Sequence, residues 1–260
     1  MTDNMKEPLF GKTLDDLIPV VKEAGLPAFT ARQIAEWLYK HRVEDIEKMS
    51  NLSKKAREEL GGKYIIGHSS PVKVMESADG TRKYLFATGD NKYIETAYIP
   101  EKTRHTLCLS CQAGCRMGCL FCMTGMQGLQ GNLSAGEILN QLISIPEADK
   151  ISNLVYMGMG EPFDNSTNVI KSINILTSAW GFAMSPRRIT VSTIGIIPGM
   201  KDFLTYTDAH LAVSMHTPFA AERLRMMPLE KKYPLAEILK VVKDYDWGRQ
   251  RRISFEYIMF

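Results

Sequence analysis

All five cysteines of this chain lie between residues 108 and 122, in the segment CLSCQAGCRMGCLFC. A chain that uses cysteine as a small core residue scatters it, and a secreted chain spaces its cysteines so that disulfides close loops. Thiolates gathered beside glycines are soft ligands, and such groups hold zinc or an iron–sulfur cluster. A structural zinc site usually needs a second, separated C-x-x-C pair or histidines, and no second pair follows here.

Three of these cysteines, Cys115, Cys119 and Cys122, form the pattern C-x-x-x-C-x-x-C. One loop with three thiolates leaves one iron of a four-iron cluster without a protein ligand, so that iron is open to a small molecule. We therefore predict an iron–sulfur cluster, while zinc and redox-active thiols stay open as alternatives. With Phe121 directly before the third cysteine, the loop resembles that of the radical S-adenosylmethionine (SAM) superfamily, whose open iron binds SAM through its amino and carboxylate groups.

Composition limits the remaining possibilities. The chain has 260 residues, 45% of them hydrophobic, which suffices for one large domain or for a medium domain with a small companion. It contains no run of about 18 apolar residues and no signal peptide, which predicts a cytoplasmic protein without membrane contact, where thiols stay reduced. The net charge of +3 is too small to indicate nucleic-acid binding by itself.

The first part of the chain, residues 1–67, has the periodicity of a small helical domain. Thr13 is a predicted N-cap for a helix that Pro19 is expected to kink or shorten, and residues 30–33 (TARQ) indicate a capping box. A third helix is expected to stop at the glycine pair 61–62. The basic residues of this helical domain form either a solvated face or a contact for RNA phosphates. They are Arg32, Lys40, Arg42, Lys54, Lys55 and Arg57.

The next part, residues 68–102, changes to the alternating pattern of an antiparallel β segment. Turn signals occur at 79–80 and 89–91, and the strands between them are predicted at 72–76, 82–88 and 93–99. Glu95 lies in the last of these strands, where it is either a surface carboxylate or a site residue. The pattern alone favours the surface.

The remaining part, residues 103–260, alternates strands with helices. Strands are predicted at 105–110, 153–157, 189–193, 210–215 and 253–259, and helices behind Ser134 and near 166–180, 199–206 and 234–245. This alternation predicts an α/β fold with a parallel sheet, and five strands form only a partial (β/α) barrel. Active sites of such sheets lie beyond the carboxyl ends of the strands.

Polar groups follow several of these strands. The second is followed by residues 157–162 (MGMGEP), in which Gly160 allows close backbone approach and Glu161 offers a carboxylate to an ammonium group. A plain tight turn is the alternative. The third strand ends with Ser192, and the fourth with Ser214, Met215 and His216. Groups at successive strand ends of one sheet are expected to converge on one ligand.

Taken together, these segments resemble the ribosomal RNA adenine-C2 methyltransferases, a family of radical SAM enzymes, from the helical domain through Phe260. The sister family that methylates C8 of the same adenine shares most of them and is the second interpretation. The segments that carry the resemblance are the cysteine loop and residues 98–101 (YIPE), 106–108 (TLC), 157–162 (MGMGEP), 186–193 (PRRITVST), 212–216 (AVSMH), 227–228 (MP), 231–234 (KKYP) and 255–257 (FEY).

The resemblance implies a mechanism in which two SAM molecules are used. One methylates a cysteine near the family's C-terminus, and the other yields a 5′-deoxyadenosyl radical that activates this methyl group for addition to adenine C2. Cys108 then matches the cysteine that resolves the adduct through a transient disulfide, and Glu95 matches the proton acceptor. The positions that match SAM contacts, besides Phe121 in the cysteine loop, are Gly160, Glu161, Ser192, Ser214, Met215 and His216.

The resemblance also implies partners. These are 23S rRNA, methylated at adenine 2503, transfer RNAs, methylated at adenine 37, and an electron donor such as flavodoxin; the protein is expected to be a monomer. The chain ends at Phe260, before the family's methyl-carrying cysteine and a SAM-binding asparagine, so we expect a fragment with an incomplete core. Cys111 stands where the family usually has serine and receives no role. A non-catalytic RNA-binding fragment and a zinc-stabilised RNA-binding protein remain alternatives.

Overall fold

A computed structural model describes residues 6–89, 92–248 and 251–259, so the predicted turn residues Asp90 and Asn91 lie outside the described residues. The strands are β1 (Glu7–Pro8), β2 (Tyr64–Ile65), β3 (Lys73–Glu76), β4 (Arg82–Ala87), β5 (Tyr93–Pro100), β6 (His105–Cys108), β7 (Gln112–Cys115), β8 (Gly128–Asn132), β9 (Asn153–Tyr156), β10 (Ile189–Thr193), β11 (His210–Ser214) and β12 (Ile253–Glu256). The α-helices are α1 (Leu14–Glu23), α2 (Thr30–Tyr39), α3 (Lys54–Lys63), α4 (Met123–Met126), α5 (Ala135–Ile143), α6 (Ser166–Thr177), α7 (Ile197–Tyr206), α8 (Ala220–Met226) and α9 (Leu235–Asp244). None of the helices in these described ranges is long and apolar enough to cross a membrane.

The first three helices pack on one another beside the short parallel pair formed by β1 and β2. Thr13 caps α1 as predicted, because its hydroxyl accepts from the Asp16 backbone N–H while the Asp16 carboxylate accepts from the Thr13 N–H. The predicted shortening of α1 at Pro19 is wrong, since the helix continues to Glu23. Pro19 is the sixth of the ten helical residues, and the absence of its one N–H donor does not end the helix.

Two further helix ends differ from the prediction. Phe29, in a helical conformation, is the N-cap of α2 and makes no side-chain capping bond, so the capping box at residues 30–33 does not form. Thr30 is buried within a turn that has already begun, and its N–H donates to the Pro27 carbonyl at 3.0 Å. Helix α3 continues through the glycine pair 61–62, neither of which adopts the positive φ that would end it.

One eight-stranded sheet forms the centre of the protein, in the order β12-β11-β10-β9-β6-β5-β4-β3. The five strands from β6 to β12 in this sheet are parallel, as the alternation predicts, while β3, β4, β5 and β6 pair antiparallel. The antiparallel segment is therefore an extension of the parallel sheet. The sheet stays open, with β12 and β3 at its two edges, and the predicted α/β class is confirmed.

The two faces of this sheet have different environments. Helices α5, α6, α7 and α9 pack in sequence, and the sheet residues on the covered face, such as Leu107, Leu154, Ile189 and Leu211, are fully buried. Residues on the other face alternate with them, and they include the partly exposed Cys108 and the serines at the ends of β10 and β11. We call this second side the open face.

Candidate active site

A cavity of about 290 Å³ lies at the carboxyl ends of the parallel strands. This is the position where open α/β sheets bind their ligands. It brings together residues from the cysteine loop, the loop after β9 and the ends of β10, β11 and β12. The predicted site residues that line it are Cys115, Cys119, Phe121, Cys122, Gly160, Glu161, Ser192, Ser214 and His216.

The cysteine loop is built on a small hairpin that was not predicted. Strand β7 pairs antiparallel with β8, and α4 lies between them. Gly114 has φ +71°, and a Cβ there would lie 1.9 Å from the Gly128 carbonyl oxygen, so only glycine fits. The hairpin thereby fixes Cys115 at its end, and Cys119 and Cys122 follow around the start of α4.

The thiols of this loop are partly or fully withdrawn from solvent. Burial raises the pKa of Cys115 to about 11 and that of Cys119 to about 12, and neighbouring thiols contribute to both shifts. Both thiols are therefore protonated at neutral pH, and binding of a metal must release their protons. All three cysteines line the cavity, so the loop presents them to one region.

Within the described ranges, no three His, Cys, Asp or Glu side chains are arranged to hold a single metal ion. A four-iron cluster is larger than one ion and spreads its thiolate ligands over several irons. Three thiols on one loop at the wall of a cavity fit such a cluster. His216 lines the same cavity, and its Nδ1 is buried without a hydrogen-bond partner among the described residues. This nitrogen is therefore available to a ligand.

The loop after β9 approaches the cysteine loop at backbone distance. Gly160 has φ +99°, and a Cβ there would lie 2.5 Å from the Gln112 Cβ, so the glycine is required. The fully buried Gln112 accepts from the Glu161 N–H at 2.9 Å and donates to Asn132 and Asp164. Asp164 in turn pairs with Arg116, the neighbour of the first cluster cysteine. These contacts hold the two loops together.

Glu161 is a buried carboxylate with defined partners. Its Oε1 accepts from the Thr193 hydroxyl at 2.6 Å and from the Phe163 N–H at 3.1 Å, and its Oε2 accepts from the Ile194 N–H at 3.0 Å. Burial raises the pKa of Glu161 to about 7, although these hydrogen bonds lower it. A carboxylate offers about four acceptor positions. One therefore remains for a donor in the cavity.

Glu256 is a cavity residue that was not singled out from the sequence. Its Oε2 accepts from the hydroxyls of both Ser192 and Ser214, each at 2.7 Å, and it also lines the cavity. The two serines therefore point to a common carboxylate at the rim. In the sequence, Glu256 belongs to the segment 255–257 (FEY) that carries part of the resemblance, but its position near the end of an apolar strand does not distinguish it from a surface residue.

His216 stands at the rim in an unusual conformation. Its φ of +60° is one that non-glycine residues rarely adopt, at a cost of about 1–2 kcal/mol. Its ring meets the Phe121 ring edge to face, with centroids 5.0 Å apart, so it connects the cysteine loop with β11. Burial lowers the pKa of His216, which favours a neutral ring. Its neighbour Met215 is not among the residues that line the cavity.

Cys108 and Glu95 lie outside the cavity but on the open face. Cys108 pairs with Ala97 of β5 and Val155 of β9, and Val155 pairs with Thr190, two residues before Ser192. Residues two apart on a strand share a face, so Cys108, Glu95 and Ser192 all lie on the open face. Burial raises the pKa of Cys108 to about 11, and all five cysteines are free thiols, so no disulfide is seen.

The Glu95 side chain is 47% exposed, and its Oε1 lies 3.0 Å from the Lys83 Nζ. Its backbone is tied to the site, because the Glu95 carbonyl accepts from the Ser110 hydroxyl at 2.5 Å and the same hydroxyl accepts from the Met159 N–H. The Glu95 carboxylate is thus at the surface, as the pattern favours, and its role as a site residue stays a prediction.

Two family profiles match the chain. Residues 8–66 match the family described as "Ribosomal RNA large subunit methyltransferase N-terminal domain", and residues 109–255 match the "Radical SAM superfamily". The crystal structure of a radical SAM methyltransferase from Sphaerobacter thermophilus is 37% identical, with a TM-score of 0.87 over 96% of this chain and 76% of that one. Fold and cysteine loop together define the chain as a member of the radical SAM superfamily.

Curated relatives narrow this class. The "Probable dual-specificity RNA methyltransferase RlmN" of Phocaeicola vulgatus is 52% identical over 98% of this chain and 73% of its own length. The protein of the same name from Bacteroides thetaiotaomicron is 51% identical over 98% of this chain and 74% of its own length. The "Dual-specificity RNA methyltransferase RlmN" of Desulfotalea psychrophila is 40% identical over 99% of this chain and 75% of its own length. The chain belongs to the RlmN family.

Membership of the radical SAM superfamily implies a [4Fe–4S] cluster and SAM, and the cysteine loop fits the cluster motif. The predicted cofactors are thus confirmed, and the zinc and redox-thiol alternatives are no longer needed. The predicted RlmN-type resemblance is confirmed as well. The roles of the individual site residues stay predictions.

Proposed function

We propose that this chain holds a [4Fe–4S] cluster through Cys115, Cys119 and Cys122, with SAM beside it, as the radical SAM part of an RlmN-type enzyme that methylates adenine C2 in RNA. The observation that carries the proposal is the cavity that joins the three cysteines to Glu161 and the rim residues of β10 to β12. The relatives' names, which specify dual-specificity RNA methyltransferases, support RNA as the substrate and the C2 over the C8 family. Family resemblance supports 23S rRNA and transfer RNA.

When bound, the cluster supplies the electron that cleaves SAM. The chain's own residues bind and orient the SAM molecule: Glu161 accepts from its amino group, and Ser192, Ser214 and Glu256 offer polar contacts at the opposite rim. His216 offers a neutral ring nitrogen. We assign proton acceptance to Glu95 and adduct resolution to Cys108, because both lie on the open face that continues from the cavity.

We further propose a monomeric cytoplasmic protein. Reductive cleavage of SAM consumes an electron that the polypeptide itself does not hold, so we propose a protein donor such as a flavodoxin in the cell. An oxygen-sensitive cluster and five free thiols suit a reducing compartment.

Activity assays of the 260-residue polypeptide test this proposal. After anaerobic reconstitution with iron and sulfide, addition of a reductant should yield 5′-deoxyadenosine and methionine from SAM. Methyl transfer to a 23S rRNA fragment should not occur, because these 260 residues contain no cysteine after Cys122 to carry the methyl group. Nucleoside analysis with methyl-labelled SAM provides the measurement.

Three results are informative. Cleavage of SAM without 2-methyladenosine supports the proposal. A loaded cluster that fails to cleave SAM contradicts the assigned cavity. Formation of 2-methyladenosine by this polypeptide alone shows that another residue accepts the methyl group, and the methyl-cysteine mechanism then has to be abandoned for this protein.

The RNA contact is also a proposal. Residues 1–67 were predicted to bind RNA through basic residues, but Lys54 and Lys55 pair with the glutamates four residues on, and Arg57 pairs with Glu47. These exposed pairs reduce the positive charge that α3 offers to phosphates. Arg32 and Lys40 pair with Glu36, and Arg42 pairs with Asp149, so we place the main RNA contact elsewhere.

The open face of the antiparallel extension is the better candidate for RNA. Lys73, Leu85 and Glu95 are paired in register across β3, β4 and β5, and Tyr93 lies on the same side. Tyr93 is 51% exposed. The Lys83 side chain is 45% exposed but is itself paired with Glu95, whereas Lys73 is exposed and has no ion pair among the described residues. An exposed aromatic ring with lysines on a sheet face suits unpaired nucleotides, because bases stack on the ring while lysines contact phosphates.

We expect changes of Lys73 and Lys83 to glutamine to weaken RNA binding more than changes of Lys54, Lys55 and Arg57. Each lost phosphate contact flattens the slope of log affinity against log salt by about 0.7, so the double variant should lose up to about 1.4. Fluorescence anisotropy of a labelled RNA hairpin at several salt concentrations measures both slopes. A larger loss from the α3 variant would place the main RNA contact on the helical domain.

A further inference from the structure

Arg223 in α8 is a fully buried arginine at the rim of the cavity. Its Nη2 donates to the Ile194 carbonyl at 2.6 Å and to the Ser214 carbonyl at 3.2 Å, which are the residues at the ends of β10 and β11. Its Nη1 pairs with the buried carboxylate of Glu230. Glu230 is held in place by the Leu235 N–H, 3.0 Å from both carboxylate oxygens.

Two chains of contacts lead from Arg223 into the cavity. The Ile194 residue that offers its carbonyl to Arg223 donates its N–H to Glu161. Helix α8 ends at Met226, and the Met226 carbonyl accepts from the Leu120 N–H at 2.9 Å. Leu120 lies in the cysteine loop, between the second and third cluster cysteines. Arg223 and its helix are therefore linked by hydrogen bonds both to the carboxylate assigned to SAM and to the loop assigned to the cluster.

The charge of Arg223 acts on the cavity. Its guanidinium lowers the pKa of His216 at the cavity, in the same direction as the larger effect of burial. Its Nε has no hydrogen-bond partner among the described residues. Buried arginines are rare unless paired, and a neutral side chain could fill this space without the desolvation cost. The pairing with Glu230 compensates the charge only from one side.

We propose that Arg223 is a positioning residue that fixes the SAM-binding strand ends against the cluster loop, and that its buried positive charge stabilises the reduced cluster. The inference rests on the proposed function, since it needs both cofactors. Reduction adds negative charge to the cluster, and a cation enclosed in a medium of low dielectric constant stabilises that charge more than a solvated one does. The carboxylate of Glu230 has the opposite effect and also orients the guanidinium.

Three variants separate the charge from the geometry. Arg223→Met removes both, Arg223→Lys keeps the charge but cannot bridge three acceptors, and Glu230→Gln removes the opposing charge. We expect the cluster reduction potential, measured by redox titration with EPR detection, to fall in R223M, to stay near that of the parent in R223K and to rise in E230Q. SAM affinity should fall about tenfold to a hundredfold in R223M and R223K, because hydrogen bonds to charged groups are lost.

Arg251 provides a matched control. It is also largely buried, and it donates to the carbonyls of Leu204 and Thr207 beside α7, near the start of β12 rather than at the carboxyl rim. Arg251→Met should lower the melting temperature while the potential and the SAM affinity of the loaded protein stay unchanged.

The outcomes are distinguishable. If the parent chain takes up no iron and sulfide, the proposed function fails, independently of Arg223. If the parent loads but R223M and E230Q shift the potential in the same direction, or R223K behaves as R251M does, Arg223 is only a structural residue and the inference is overturned. If R223M does not fold, the reduction potential and the SAM affinity of R223K and E230Q decide whether the inference holds.

Discussion

Replacement of Cys119 by alanine is expected to abolish loading of the iron–sulfur cluster. The three thiols of the loop are the protein ligands at this wall of the cavity, so removal of one leaves two irons open and the cluster without adequate support. Iron and sulfide per chain, together with the brown charge-transfer absorbance after anaerobic reconstitution, measure the loss. The same result is expected for Cys115→Ala and Cys122→Ala.

Cys111 provides the control for this experiment. It is 2% exposed, and its thiol donates to the Met159 carbonyl at 3.6 Å, so it belongs to the core beside the site. Unlike Cys115, Cys119 and Cys122, it does not line the cavity, so its thiol is not placed to bind the cluster. Cys111→Ala should load a nearly full cluster at slightly lower stability. Full loading of Cys119→Ala would refute the assignment of the loop.

The second large effect is expected on the pH dependence of SAM binding. With a pKa of about 7, Glu161 is mostly protonated at pH 6 and mostly ionised at pH 8. The ionised form accepts the hydrogen bond from the amino group of SAM, and the neutral form accepts it less well. Affinity should therefore weaken about tenfold as the pH falls from 8 to 6, which is the change in the ionised fraction.

Glu161→Gln separates this titration from that of SAM itself, whose amino group also titrates near pH 8. The variant should bind SAM weakly at all pH values and lose the decline below pH 7. Isothermal titration calorimetry of both loaded proteins between pH 6 and 8 provides the comparison. If the parent and the variant show parallel pH profiles, then Glu161 does not contact SAM in its ionised form.

Much of the site could be predicted because its signals are local in sequence. The cysteine spacing follows from three ligands that one loop supplies, and Gly160 follows from the close approach of its backbone to Gln112. Each requirement restricts the residue type at fixed positions, so it can be recognised in the sequence. The alternating strands and helices gave the parallel sheet for a similar reason, since each element has its own periodicity. Thr13 and Ser134 cap their helices through neighbours three residues away.

The features that could not be predicted depend on distant partners. Glu256 looks like an ordinary strand residue until β12 pairs with β11 and places it beside the two serines. Arg223 lies in a short polar helix, where sequence alone favours a solvated side chain. Strand pairing also joins β5 to β6, which makes one sheet of two predicted segments. None of these pairings has a local signal, because hydrogen bonds between strands involve the backbone of every residue alike.

The mixed direction of the central sheet also has a consequence for how the protein is made. Strands β3 to β6 are neighbours both along the chain and in space, whereas β6 pairs next with β9 only after the whole cysteine loop and α5 have been synthesised. Contacts between nearby residues form faster than those that close long loops. During synthesis the antiparallel half is therefore expected to fold first, with the cysteine loop still tethered at its edge and uncovered. The three thiols are therefore expected to be more exposed in this interval than in the folded chain, where residues from β10 to β12 supply the opposite part of the cavity lining.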